Sequence, residues 1–354
     1  MRIVVKIGSS SLTTKQEIDL NKLQDHVHAI AQLKQQGHEV IVVSSGAVAA
    51  GFKKLGYPSR PVTIKGKQAA AAIGQSTLIQ HYTEAFEQFK MPVAQILLTK
   101  DVFTHKKRYQ NAFATLSELL ERHVIPIINE NDTVSIDELS FGDNDMLSSL
   151  VAAHLQADYL ILLTDIDGLY TANPMTNKDA VKIEIVEDIS PALFEMATGS
   201  SSKVGTGGME SKLHAAKYAM ENGVDTFIGI GDGPGKFTKI IHNKGNGTYF
   251  KKTASANKTI HRWLALTNAK GQLYIDEGAY NAVTKHGKSL LHAGITNFTG
   301  HFEEGDVVEV YYNDQLIGRG EMNVSSTQLH TLLTTNEQLK DATITIHRNG
   351  WMKF

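Results

Sequence analysis

The sequence predicts an α/β chain: a mainly parallel sheet sandwiched by helices over residues 1–252, a linker at 253–260, and a small β-rich domain at 261–354. Three observations predict it. Short β-branched apolar runs alternate with longer segments of helical period. The runs are near-continuous, as in strands buried on both faces. After the polar stretch Lys251–Thr259 (KKTASANKT) the runs shorten and glycines recur at 271, 278, 287, 294, 300, 305, 318 and 320, the pattern of short strands joined by turns.

Taken in order, Ile3–Ile7 reads as a strand and leads into a Gly-Ser loop. Leu20–Gln36 carries Leu23, Val27, Ile30 and Leu33 at helical spacing, and Gly37 stops it. Val40–Val43 is the next strand, followed by SSGAVAAG. A long helix is expected over Ile64–Phe89, a strand over Val93–Leu98, a helix over Tyr109–His123 and a strand over Val124–Ile128. Tyr159–Leu163 is a strand, Met209–Asn222 a helix stopped by Gly223, and Val224–Ile230 a further strand. In the tail, Gln272–Ile275 and Val307–Tyr312 read as strands. In open sheets of this kind, loops at the carboxyl ends of the strands build the site. GSSS, SSG, INEND and TDIDG all stand there.

Composition narrows the class. The 354 residues are 42% hydrophobic and 20% charged, the balance of a globular protein with room for a large core. There is no cysteine, which excludes disulfide scaffolds and thiolate zinc sites. A formal charge of −2 gives no global basic field for nucleic acid or anionic membrane. The apolar start is short and broken by Lys6, unlike a signal peptide, and no stretch approaches the ~20 apolar residues of a membrane span. A cytoplasmic location is expected. The histidines show no ligand spacing, and His26 and His28 are expected on the surface.

Gly229–Thr238 (GIGDGPGKFT) looks like a P-loop but fails its register, and Phe237 stands where a magnesium-binding Ser or Thr is required. No dinucleotide fingerprint fits either. Gly205–Lys212 (GTGGMESK) is a better anion device: a glycine-rich loop running into a helix whose apolar face is Met209, Leu213, Ala216 and Met220. A bound phosphate would offset the unfavourable placing of Lys212 near the positive end of the helix dipole; the alternative is a solvated lysine on a glycine loop. Lys6 interrupts an apolar strand, either to snorkel at its end or to face a phosphate together with the amides of Gly8 and Ser9. INENDTV and FGDND place polar residues directly after a buried strand, suited to gripping an amino acid or a metal, with Asp143 also a candidate helix N-cap. Thr164 and Asp165 in LTDIDGLY face either a nucleotide or nothing more than a turn at Asp167-Gly168.

VVKIGSSSL, VSSGAVAAG, INENDTV, GDND, LLTDIDGLY and GTGGMESKLHAA, in that order, resemble the amino acid kinase family, and within it the members that phosphorylate glutamate. INEND, GDND and the tail distinguish the chain from acetylglutamate, carbamate, aspartate and uridylate kinases. The tail from about His261 resembles a PUA domain. The resemblance implies ATP and Mg2+, with L-glutamate as substrate and its γ-carboxylate converted to an acyl phosphate, the first step of proline biosynthesis. It implies that Lys6 and Lys212 flank the transferring phosphoryl group and that Asp145 orients them. Lys6, Gly8, Ser9, Thr164, Asp165, Thr206, Gly207, Gly208, Met209, Glu210, Ser211 and Lys212 would bind ATP; Ser45, Asp132 and Asn144 would bind glutamate. It also implies proline as a feedback inhibitor, and a homo-oligomer is expected. Two departures stand out: Asn173-Pro174 replaces the family's usual Asp-Pro, and the tail lacks a glycine common after the segment matching Val324–Leu333.

Three rival classes remain in view. One is a kinase of the same fold acting on another acid or on a nucleotide. The second is an RNA-binding protein, since PUA domains occur in such proteins. Cations and anions nearly balance from Lys258 onward, so strong RNA binding is not expected. The third, a dehydrogenase, lacks its glycine fingerprint.

Overall fold

The computed structural model describes the chain except for residues 135–143, 173, 175–176, 199–207, 254–262, 265–266 and 335–342, and the side chains of 197–198. Two compact units divide it: 1–101 with 111–256, and 102–110 with 257–354.

In the first unit eight strands form one sheet: β1 (Arg2–Ile7), β2 (Glu39–Ser44), β3 (Val93–Leu98), β4 (Ile125–Glu130), β5 (Tyr159–Leu163), β6 (Ile185–Val186), β7 (Asp225–Ile230) and β8 (Asn246–Phe250). Their spatial order is β6-β8-β7-β5-β1-β2-β4-β3. Every pairing is parallel except β7 with β8. β1 therefore lies near the middle, and its carboxyl end meets those of β2 and β5.

The helices follow the apolar periodicity closely. α1 (Ser9–Leu12) is a single turn, and α2 (Leu20–Gln35) is capped by Asp19, whose side chain accepts from the Asn21 and Lys22 amides. α3 is Ala47–Gly51, α4 Ile64–Glu87, α5 Lys106–Glu121, α6 Asn144–His154, α7 Pro191–Thr198, α8 Met209–Glu221 and α9 Lys236–Ile241. Strand alternation sends Ile3, Val5 and Ile7 into a core with Leu23, Val27 and Ile30 of α2 and Leu78, Tyr82 and Phe86 of α4. Lys6 is out of phase with that set, so it points to the opposite face, where α6 packs on β1. None of the described helices is long and apolar enough to cross a membrane.

SSGAVAAG has a packing role. A Cβ on Gly74 of α4 would stand 1.7 Å from the Ala47 carbonyl oxygen, and one on Gly51 2.0 Å from that of Ala70. Only glycines let α3 approach α4 this closely. One expectation needs correction: β4 runs on to Glu130, so Asn129 and Glu130 are buried strand residues opposite Leu97 and Leu98, not the start of a loop. The ladder of β3 continues past the apolar residues, because backbone pairing does not depend on side-chain polarity.

The second unit holds a six-stranded sheet built from β9 (Gly271–Ile275), β10 (Leu290–Leu291), β11 (Ile295–Gly300), β12 (Val307–Tyr312), β13 (Gln315–Met322) and β14 (Ile344–Lys353). The order is β10-β14-β13-β12-β9-β11, with α10 (Glu277–Thr284) and α11 (Ser326–Thr334). Leu273, Val308, Val310, Ile317 and Leu329 are among its core. Val102–Gln110, which follows β3 in sequence and includes the start of α5, belongs to this unit.

Candidate active site

Three charged side chains from three elements converge at the carboxyl end of β1. Lys6 Nζ lies 2.6 Å from Asp145 Oδ1, and Lys212 Nζ lies 3.0 Å from Asp145 Oδ2. Asp145 is 0% exposed, Lys6 1% and Lys212 6%. Each lysine thus meets one oxygen of a single carboxylate, and all three charged groups are buried. Charged groups are costly to bury unless they are paired and hydrogen-bonded. The chain arranges it through local devices: alternation in β1 aims Lys6, the first turn of α6 presents Asp145, and Gly208 opens α8 ahead of Lys212. A Cβ on Gly8 would stand 3.3 Å from Lys6 Nζ, so glycine leaves room for the ammonium beside the loop.

The turn after β1 is held from behind by α2. Lys22 Nζ donates to the Thr13 carbonyl at 2.8 Å and to the Ser10 carbonyl at 3.4 Å, while His26 Nε2 reaches the Ser11 carbonyl at 3.1 Å. His26 is buried, contrary to the surface position expected for it, because the face of α2 it shares with Leu23 and Ile30 is turned inward; His28 is exposed as expected. Burial, then the nearby Lys236 ammonium, brings the His26 imidazole down to about 4, so it is neutral at pH 7 and its Nε2–H is the donor to Ser11. Lys236, from the segment that imitates a P-loop, is itself buried and paired with Asp25.

Thr164 and Asp165 follow β5, next to β1. The Thr164 amide donates to the Gly229 carbonyl, and its hydroxyl donates to Asp165 Oδ1 at 3.2 Å. Thr164 is buried and Asp165 exposed. At the head of α8, Gly208 and Glu210 are exposed, Ser211 half-buried and Met209 buried. Thr206, Gly207 and the Phe141–Asp143 segment lie outside the described residues.

On the β2–β4 side, Asn144 Nδ2 contacts Ser45 Oγ and the Ser44 carbonyl, both at 3.1 Å, and Asn129 Oδ1 at 2.8 Å. Ser45 and Asn144 are thus brought together, and Asn144 is adjacent in sequence to Asp145. Asp132 lies apart from this contact and lines a cavity of about 370 Å³ with Gln75, Ser76, Gln95, Glu130 and Thr133. Burial, and then the Glu130 carboxylate, push the Asp132 carboxyl up to about 6. Asn129 and Gln75 were not singled out by sequence reasoning as individual ligands. The available signal for Gln75 was a polar residue on the inward face of α4, next to the close-packed Gly74.

The amino acid kinase family model matches residues 1–229, and a PUA domain model matches residues 271–335. Glutamate 5-kinase 1 of Bacillus licheniformis is 51% identical over 357 residues, covering 99% of this chain and 98% of that protein. Glutamate 5-kinase of Bacillus anthracis is 49% identical over 363 residues, 100% of this chain and 99% of that one. Among solved structures, carbamate kinase from Giardia lamblia bound to AMP-PNP superposes with a TM-score of 0.52 at 16% identity, over 71% of this chain and 98% of that chain. An isopentenyl phosphate kinase gives 0.51 at 19% identity, over 71% and 100%. These two likenesses bear on the fold. A family model that spans more than half the chain, and relatives that match it over nearly its whole length, lead to one conclusion: the chain belongs to the amino acid kinase family, in the glutamate 5-kinase branch that carries a PUA domain.

Proposed function

We propose that the protein transfers the γ-phosphoryl group of ATP to the γ-carboxylate of L-glutamate, giving L-glutamyl 5-phosphate at the entry to proline biosynthesis. The observation that carries this reading is the buried pair Lys6 and Lys212 on one carboxylate, Asp145, at the carboxyl ends of the central strands. A γ-carboxylate oxygen attacks the γ-phosphorus. The bond from that phosphorus to the β–γ bridging oxygen breaks, and ADP leaves with the electron pair. The acceptor is already ionised at neutral pH, so no general base is required. Catalysis reduces to positioning and to charge stabilisation by preorganised cations.

In this reading Lys6, Gly8, Ser9, Thr164, Asp165 and the 206–212 segment hold the nucleotide. Ser45, Asp132 and Asn144 hold glutamate. Asp145 orients the two lysines. Magnesium would be held mainly through the nucleotide phosphates and would supply neutralisation of their charge. The kinase domain comprises 1–252, joined through 253–260 to the PUA-like domain at 261–354. The protein acts in the cytoplasm as a homo-oligomer. Proline shares the α-carboxylate and cationic nitrogen of glutamate and competes for the same grip.

The reading is tested by incubating the protein with Mg-ATP and a panel of acids and trapping acyl phosphate with hydroxylamine. A hydroxamate is expected with glutamate, and little or none with N-acetylglutamate or aspartate. Turnover confined to another acid overturns the proposal.

The raised Asp132 carboxyl supplies a second check. It is neutral well below pH 6 and anionic above it, and only the anion pairs with an ammonium. The KM for glutamate should therefore rise as pH falls through about 6, while the KM for ATP holds. Pairing with the substrate lowers the carboxyl pKa, so binding near pH 5.5 should release a proton, detectable by calorimetry in buffers of different ionisation heat. An Asp132→Asn variant should give a flat profile. An unchanged glutamate KM down to pH 5 removes Asp132 from the site.

A further inference from the structure

Four residues from β2, α4, β4 and α6 form one hydrogen-bonded chain beside the Asp132 cavity. Asn144 Nδ2 donates to the Ser44 carbonyl and to Asn129 Oδ1. The Glu130 amide N–H also donates to Asn129 Oδ1, at 2.9 Å, and Asn129 Nδ2 donates to Gln75 Oε1 at 2.8 Å. The two ends of a carboxamide are alike in shape, but their roles here are dictated by groups that have only one role. A backbone carbonyl can only accept, so Asn144 turns its NH2 toward Ser44. A backbone N–H can only donate, so Asn129 turns its oxygen toward Glu130 and its NH2 toward Gln75. Gln75 must answer with its oxygen, and its own NH2 is forced to the other side.

That NH2 is unexplained by the fold. Gln75 is 9% exposed, and its Nε2 is buried without a hydrogen-bond partner among the described residues. An unmade bond of this kind is unfavourable, and such groups are rare in folded proteins. Gln75 also lines the cavity that holds Asp132 and Glu130. The cavity wall thus combines carboxylate acceptors for an ammonium with a lining side chain, Gln75, whose buried NH2 still lacks an acceptor among the described residues, and a free amino-acid end offers both complements.

We infer that Gln75 determines acceptor specificity: its side-chain NH2 donates to the α-carboxylate of the acceptor amino acid, and the Asn144–Asn129 chain holds it in that orientation. The inference rests on the glutamate-phosphorylating reading above. It separates donor from scaffold, because Gln75→Glu keeps an oxygen facing Asn129 and replaces only the NH2.

The test compares glutamate with 4-aminobutyrate, which is glutamate without its α-carboxylate, in full-length wild type, Gln75→Glu and Asn129→Asp. Asn129→Asp leaves residue 75 intact but can only accept, so it draws the Gln75 NH2 back toward itself. In both variants the preference in kcat/KM for glutamate over 4-aminobutyrate should fall by roughly 10–100-fold, the value of a hydrogen bond to a charged group. The KM for ATP should stay within a few-fold of wild type. A purely structural role would change neither the preference nor the glutamate KM in a folded variant. If Gln75→Glu does not fold, Asn129→Asp decides. A wild type without glutamate turnover overturns both the functional reading and the inference. Wild-type glutamate turnover with an unchanged preference in the folded variants overturns the inference alone.

Discussion

Lys6→Ala and Lys212→Ala should each lower kcat by roughly 10²–10³-fold, the usual result of removing one preorganised charge-stabilising group and equivalent to ~3–4 kcal/mol in the transition state. Asp145 meets both ammonium groups, so removing either lysine leaves its carboxylate paired with the other. The variants should therefore stay folded. On the proposed reading the ammonium groups serve the charge that develops during transfer, and the loss should then fall mainly on kcat and less on the KM for ATP or glutamate. Lys6→Met and Lys212→Met keep most of the side-chain volume and should behave alike, which separates charge from packing. Steady-state kinetics with hydroxamate detection measures the effect. A variant with near-wild-type turnover removes that lysine from the reaction centre.

Asp145→Asn should have the largest effect on stability. Its carboxylate is fully buried and neutralises part of two buried ammonium groups. Removing one partner of a buried ion pair typically costs ~3–5 kcal/mol, because the remaining charge is left uncompensated or must shed its proton. For a unit of this size that is a fall of roughly 6–20 °C in Tm. A polyanionic nucleotide would restore negative charge to the same lysines. Added ATP or ADP should therefore raise the Tm of Asp145→Asn by more than it raises that of the wild type. Turnover should fall while nucleotide affinity is kept or increased, since the carboxylate no longer competes with phosphate for the ammonium groups. Thermal unfolding with and without nucleotide reads both effects. Equal nucleotide shifts in the two proteins would show that the lysines do not meet the phosphates.

Much of this was legible in the chain itself, for identifiable reasons. Apolar, β-branched runs at Ile3–Ile7 and Tyr159–Leu163 can be buried on both faces only in a covered parallel sheet, and the observed strands match those runs to within a residue. Helical spacing and Gly37 likewise delimited α2. Lys6 was conspicuous because a lysine inside such a run must either snorkel at its end or find a partner. Glycine placement marked the start of α8 at Gly208 and the turn at Gly46 after β2. These are local properties, decided by the covalent chain and its nearest neighbours.

Tertiary structure decided everything that depends on who meets whom. Nothing local pairs Lys212 with an aspartate 67 residues away, or puts Lys6 on its other oxygen. Strand alternation places Lys6 on one face, but the packing of α6 on β1 brings Asp145 to it. The burial of His26 depended on which stripe of α2 faces inward, and α2 carries polar residues on both. The extension of β4 through Asn129 and Glu130 depended on a neighbouring strand to pair with. The direction of the Gln75 amide depended on a chain of bonds anchored at two backbone groups in different strands. Sequence alone determined the kinds of elements and the residues out of place within them. The fold determined their meaning, because charge pairing and hydrogen-bond direction are properties of contacts between segments distant in the chain.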